Sequence, residues 1–99
     1  MFRLGTLSRG ARRVQGTQTW LGTVSTAEGF TRARVKLLPP NQFVAESVCA
    51  WLLRNYGVPT PEPLWVMVHG RVLSGYRSWA KGKESRVCFA TNAMPAQSL

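Results

Sequence analysis

RVKLLPPNQFVAESVCAWLLRNYGVPTPEPLWVMV, residues 34–68, is the stretch on which the fold turns. Pro39 and Pro40 stop what precedes them, because proline gives no N–H to a ladder. Asn41 offers a side-chain oxygen to the free amides of a first helical turn and is read as an N-cap. From Gln42 to Tyr56 the residues Val44, Val48, Trp51 and Leu52 recur at helical spacing, and Gly57 supplies a left-handed stop with Pro59 beyond it. Glu46 projects with Cys49, Ala50 and Leu53, a partly apolar flank on which a carboxylate needs a partner. VPTPEP (58–63), with three prolines in six residues, excludes regular structure. Leu64 to Val68 then reads as a buried strand, His69 and Gly70 as a tight turn, and Arg71 to Leu73 as a strand pairing back.

Upstream, QTWLGTVS (18–25) is rich in β-branched and aromatic residues, Thr26 to Gly29 make a turn, and Phe30 to Leu37 runs extended again, which together spell a hairpin. In its second strand Phe30, Arg32, Arg34 and Lys36 share one face while Thr31, Ala33, Val35 and Leu37 share the other. Residues 1–16 carry Arg3, Arg9, Arg12 and Arg13 among Ser, Gly and Thr with no acid. That composition suits an organelle transit peptide or a mobile basic arm, and Gly5, Gly10 and Gly16 favour a frayed arm over a helix. Downstream, 74–86 is polar and basic and reads as a loop, Val87 to Ala90 as a last short strand, and 91–99 as an irregular tail. The expected fold is α+β: a small antiparallel sheet of three to five strands with one long helix packed on it, within residues 17–90.

Composition removes several function classes. Thirteen Lys and Arg, ten of them Arg, face four Glu and no Asp, for a formal net charge of +9. Such a surface favours anionic partners: nucleic acid, phosphorylated ligands, an acidic protein face. Cys49, Cys88 and the single histidine, His69, are too few and too scattered for a zinc site, so no metal and no cofactor is expected. A hydrolase would need His69 beside a nucleophile and a third orienting group, which a two-residue turn does not offer. No apolar run approaches the roughly 20 residues of a membrane span, so a soluble, cytoplasmic protein is expected.

The order strand with lysine, helix with an early acid, proline-rich turn, strand resembles the amino-terminal lobe of HipA-like serine/threonine kinases. AESVCAWLLRNYGVPTPEP carries the specific likeness, and a weaker one runs from about Gly16 to Ala96. The resemblance implies a kinase-type lobe in which Lys36 holds nucleotide phosphates and Glu46 orients it through an ion pair. The chain departs from the family where chemistry is done. A phosphotransferase needs one aspartate to take the hydroxyl proton and another to hold magnesium, and this chain has none. No glycine-rich phosphate loop of the GxGxxG type is present either.

Three functions follow as expectations. The first is a non-catalytic binding or inhibitor protein, of the kind a phage or mobile element directs at a bacterial defence or toxin system, with a protein partner or a second copy on the exposed apolar face. The second is a fragment or split subunit of a HipA-like kinase that binds ATP together with a partner. The third is nucleic-acid binding through Arg12, Arg13, Arg32, Arg34, Arg77, Lys81, Lys83 and Arg86, with Trp79 as a stacking platform.

Overall fold

The computed structural model describes residues 2–72 and 85–93. Its organising unit is the hairpin of β3 (Thr19–Thr26) and β4 (Gly29–Lys36), paired antiparallel from Thr19↔Lys36 to Thr26↔Gly29. Ala27 and Glu28 form the loop, both with negative φ, and Gly29, first on β4, supplies the positive φ (120°) that returns the chain to the ladder, a backbone glycine adopts without steric cost. Period-2 alternation settles the faces as expected. Trp20 and Val24 on β3, with Ala33 and Val35 on β4, are buried, while Phe30, Arg32 and Arg34 are exposed.

Around this hairpin the chain closes a barrel. β5 (Pro63–His69) and β6 (Ser85–Asn92) pair antiparallel, β6 also pairs antiparallel with β4, and β1 (Arg3–Leu7) bridges the gap, parallel to β5 and antiparallel to β3. The two-residue β2 (Arg12–Arg13) lies outside the ring on β3. Leu7, Val24, Val35, Leu64, Val66 and Val68 fill the interior at 0–2% exposure. Closure removes most free sheet edges, which is how a small β-rich chain avoids pairing with its neighbours.

Several expectations are corrected. The sheet has six strands, is mixed, and closes on itself, where a small antiparallel sheet of three to five strands was expected. The protein is mostly β with one helix. Residues 1–16 are not a frayed arm throughout. β1 fills the fifth place in the barrel, and Arg3 gives Nε and a second guanidinium N–H to Glu62 at 2.6 and 2.8 Å, fastening it 59 residues away in sequence. The partner of β5 is β6 rather than residues 71–73; Gly70–Val72 is a single 3-10 turn. β6 also runs into Thr91 and Asn92, inside the expected tail.

The helix α1 (Pro40–Asn55) begins two residues earlier than an Asn41 cap allows. Pro39 is its N-cap, with no side-chain hydrogen bond, and Pro40 takes the first position, where a missing N–H costs nothing. It ends as expected. Gly57, at φ 75°, gives its N–H to the Arg54 carbonyl, and Val58 gives its own to the Leu53 carbonyl. The apolar stripe Val44, Val48, Trp51, Leu52 does not pack on the sheet. The helix rests on the outer face of β5 and β6 through the stripe that holds Phe43 and Ser47; Val44 and Val48 lie one residue, or about 100°, further round the helix, and Trp51, four residues after Ser47, stands between the two. Ser47 is its buried residue, and beneath it Phe89 is 2% exposed although its strand position points out of the barrel.

Candidate functional site

Three places in this architecture bring chemistry-bearing side chains together. The first is the junction of β4 and α1. Lys36, last on β4, faces outward, and Glu46 sits on the second turn of α1. Their Nζ and Oε1 are 3.7 Å apart, with both side chains more than a third exposed. Lys36 Nζ also lies 5.9 Å from the centroid of the Phe89 ring, near enough for a weak cation–π attraction. The two residues implied by the kinase-type pattern are thus brought together. At this exposure such a pair is worth about 0–1 kcal/mol.

The second is a cleft where α1 meets the barrel. Trp65, on the outer face of β5, donates its indole N–H to Ser47 Oγ at 3.1 Å, which fixes the ring under the helix. Phe2 meets it edge-on at 5.4 Å between centroids, and Phe43 lies at 5.7 Å. Phe2, Ser47, Val48, Trp51 and Trp65 line an open cleft of ≈ 350 Å³ with almost wholly apolar walls. A smaller neighbour is lined by Phe2, Trp51, Arg54 and Asn55. The exposed stripe Val44, Val48, Trp51, Leu52 continues from it along the helix. Sequence reasoning missed Phe2, Ser47 and Trp65 as site residues; only the apolar residues on the helix were visible in advance.

The third is the outer face of β2, β3 and β4. Arg12 lies opposite Leu21, which lies opposite Arg34, so the two arginines share one row across three strands. Arg32 follows two residues along β4, beside Thr23, and Phe30 two further, beside Ser25. Arg13 pairs opposite Trp20 and therefore takes the other parity; its Nε donates to the Thr17 carbonyl at 2.8 Å. Arg86 is not on this face. It has the inward parity of Cys88 and Ala90 on β6, and donates a guanidinium N–H to the Leu38 carbonyl at 2.8 Å, tying β6 to the β4–α1 linker. Arg77, Trp79, Lys81 and Lys83 lie outside the described residues.

His69 is not in a two-residue turn. It ends β5 directly opposite Ser85, with Nδ1 and Oγ within hydrogen-bond distance. No carboxylate is recorded on the other ring nitrogen among the described residues. Burial pushes the Cys88 thiol up to about 11, whereas Cys49 lies exposed on α1. No group of three His, Cys, Asp or Glu side chains among the described residues forms a metal site, and no helix there is long and apolar enough to cross a membrane.

The chain matches no protein-family model, no curated protein and no solved structure with which it was compared. Its function therefore rests on these three places and their chemistry.

Proposed function

We propose that this chain is a non-catalytic docking domain that binds another protein through the outer face of α1 and the Phe2–Trp65 cleft. One observation carries the reading. Val44, Val48, Trp51 and Leu52 stand 41–57% exposed on a helix seated chiefly through Phe43 and Ser47, so about half of each side chain is left for a partner to cover. Apolar surface contributes about 25 cal/mol per Å² when a partner covers it, and a contiguous exposed patch beside a concave apolar site is the usual mark of a binding surface.

Charge selects the occupant. Among the described residues no carboxylate lines the cleft, Arg54 stands at its rim, and the whole chain carries +9. The partner is an acidic protein segment with an aromatic or branched aliphatic anchor for the cleft and carboxylates beside it for Arg54. A second copy of the chain is disfavoured by the same charge, since two such surfaces repel. A HipA-like amino-terminal lobe put to this use acts as an inhibitor, of the kind a phage or mobile element directs at a bacterial defence or toxin system. It occupies a site and turns nothing over.

The test is a random-peptide display library panned on the full chain, counter-selected on a Val48→Asp/Trp51→Asp variant. Recovered peptides should share an apolar anchor flanked by acids and bind the wild type at least about tenfold tighter, or about 1.4 kcal/mol. Peptides that bind both proteins equally remove the reading. A concentration-dependent doubling of mass in sedimentation replaces the acidic partner with a second copy.

The Lys36–Glu46 contact favours a second reading, in which this domain supplies half of a HipA-like nucleotide site completed by another polypeptide. ATP with magnesium at a hundredfold excess over its dissociation constant would then stabilise the complex by about 2.7 kcal/mol. An unmoved melting temperature, with and without a candidate partner, dismisses it.

A further inference from the structure

The described carboxylates are all engaged, and none of them serves the arginines of the barrel's outer face. Glu62 and Glu28 both contact Arg3, and Glu46 contacts Lys36. Arg12, Arg32 and Arg34 have neither an ion pair nor a side-chain hydrogen bond among the described residues, and all three are exposed. Strand spacing sets their pattern. Arg12 and Arg34 stand two strands apart, about 10 Å, in one row, and Arg32 lies about 7 Å further along β4. Phe30 continues the same line and is 76% exposed, an aromatic ring left in water with no apolar neighbour assigned to it.

From this arrangement we infer that the outer face of β2, β3 and β4 binds single-stranded nucleic acid, with Arg12, Arg32 and Arg34 on successive phosphates and Phe30 stacking a base. Guanidinium forks suit phosphate oxygens better than a compact ammonium does. An exposed aromatic ring interleaved with cations is the stacking platform of sequence-tolerant single-strand binders. A duplex fits less well: the face is a sheet surface carrying Thr19, Leu21 and Thr23 between the arginines, with no helix or projecting ribbon among the described residues to enter a groove. The inference does not depend on the docking reading, because α1 covers the outer face of β5 and β6 and leaves this one open.

Fluorescence anisotropy with a labelled oligothymidine of about a dozen nucleotides tests it, using the full chain. Three neutralised phosphates on a single strand predict a slope of log K against log salt near −2, at about −0.7 per contact. Arg32→Gln/Arg34→Gln should reduce the slope by about 1.4, leaving one contact. Phe30→Ser, which removes no charge, should weaken binding about tenfold with the slope unchanged, the effect of losing one stacked base. All three sites are exposed, and an unchanged melting curve shows that each variant is folded. The inference is overturned if heparin or polyglutamate of equal charge competes as well as unlabelled oligothymidine. It is also overturned if a duplex of the same length binds equally, if Phe30→Ser binds like wild type, or if no binding occurs at low salt. Loss of peptide binding in the Val48→Asp/Trp51→Asp variant, with oligothymidine binding retained, separates the two surfaces.

Discussion

Gly5→Ala should destabilise the protein through closure of the barrel alone. Gly5 lies on β1 opposite Thr26 of β3 and Val66 of β5. A methyl group placed there falls directly against Val24 Cγ1, 3.0 Å from the Ser25 carbonyl oxygen and 3.2 Å from Thr26 Cγ2. Val24 is wholly buried, so it has no free space to turn into. Overpacking of this kind costs about 1–3 kcal/mol. For a domain of this size each kcal/mol moves the melting temperature by about 4–8 °C, so a fall of about 4–24 °C is expected by circular dichroism. Val24→Ala removes the obstructing methyl groups at a cost of its own, on the order of 2 kcal/mol. The double variant Gly5→Ala/Val24→Ala should therefore lose at least about 0.5 kcal/mol less than the sum of the single losses, in urea titrations. Thr6→Ala, on the exposed side of the same strand, should stay within about 0.5 kcal/mol of wild type. A melting temperature for Gly5→Ala within about 2 °C of wild type, or strict additivity in the double variant, means that β1 does not pack against β3.

Ser47→Ala leaves the part-buried Trp65 indole N–H without its acceptor and should cost about 1–2 kcal/mol in urea unfolding; a neutral result means that the ring is not held by that bond. Lys36→Met and Glu46→Gln should each change stability by less than about 1 kcal/mol, and a larger loss would assign the pair a structural role. A thiol reagent at neutral pH should modify Cys49 at once and Cys88 only on unfolding. Because the folded state holds the Cys88 proton up to about 11, against about 9 in the open chain, stability falls as the pH rises through that window. The folded state binds more protons there, and below about pH 9 the effect vanishes. The wild type should lose more stability than Cys88→Ala between neutral pH and pH 11; equal losses would place the thiol in contact with water.

How much of this was legible depended on how local the cause was. The β3–β4 hairpin declares itself through alternation, with Ala33, Val35 and Leu37 inside and Arg32 and Arg34 outside, because a half-buried strand writes its two faces directly into the chain. The end of α1 is equally local, since Gly57 and Val58 return hydrogen bonds to carbonyls only three and five residues back. β1 is different. RLGTL has little intrinsic claim to be a strand; its conformation is set by β5 and β3 and by Glu62, and strand preference is largely a property of neighbours. The β5–β6 pairing was misassigned for the same reason: the nearer segment, Arg71 to Leu73, offered an easier loop than the true partner did.

The candidate sites divide along the same line. Lys36 and Glu46 meet because one strand and the helix that follows it are joined by a short linker, and the order of those elements was readable. The cleft was not readable, for it needs Phe2 to arrive beside Trp65 from a segment that looked like a loose arm. Helical periodicity identified Val44, Val48, Trp51 and Leu52 as a single stripe but said nothing about whether the fold would cover it. What decides that is the seating of the helix through Phe43 and Ser47, about 100° from Val44 and Val48, with Trp51 at the boundary. Among the described residues this leaves an apolar helix face half exposed beside a cleft that no acid lines. Engagement of Glu28, Glu46 and Glu62 elsewhere leaves Arg12, Arg32 and Arg34 without counter-charges among the described residues. Among the described residues one small barrel therefore presents two exposed surfaces of different chemistry, an apolar helix face and a basic sheet face, which is why two separate binding assays are needed to test them.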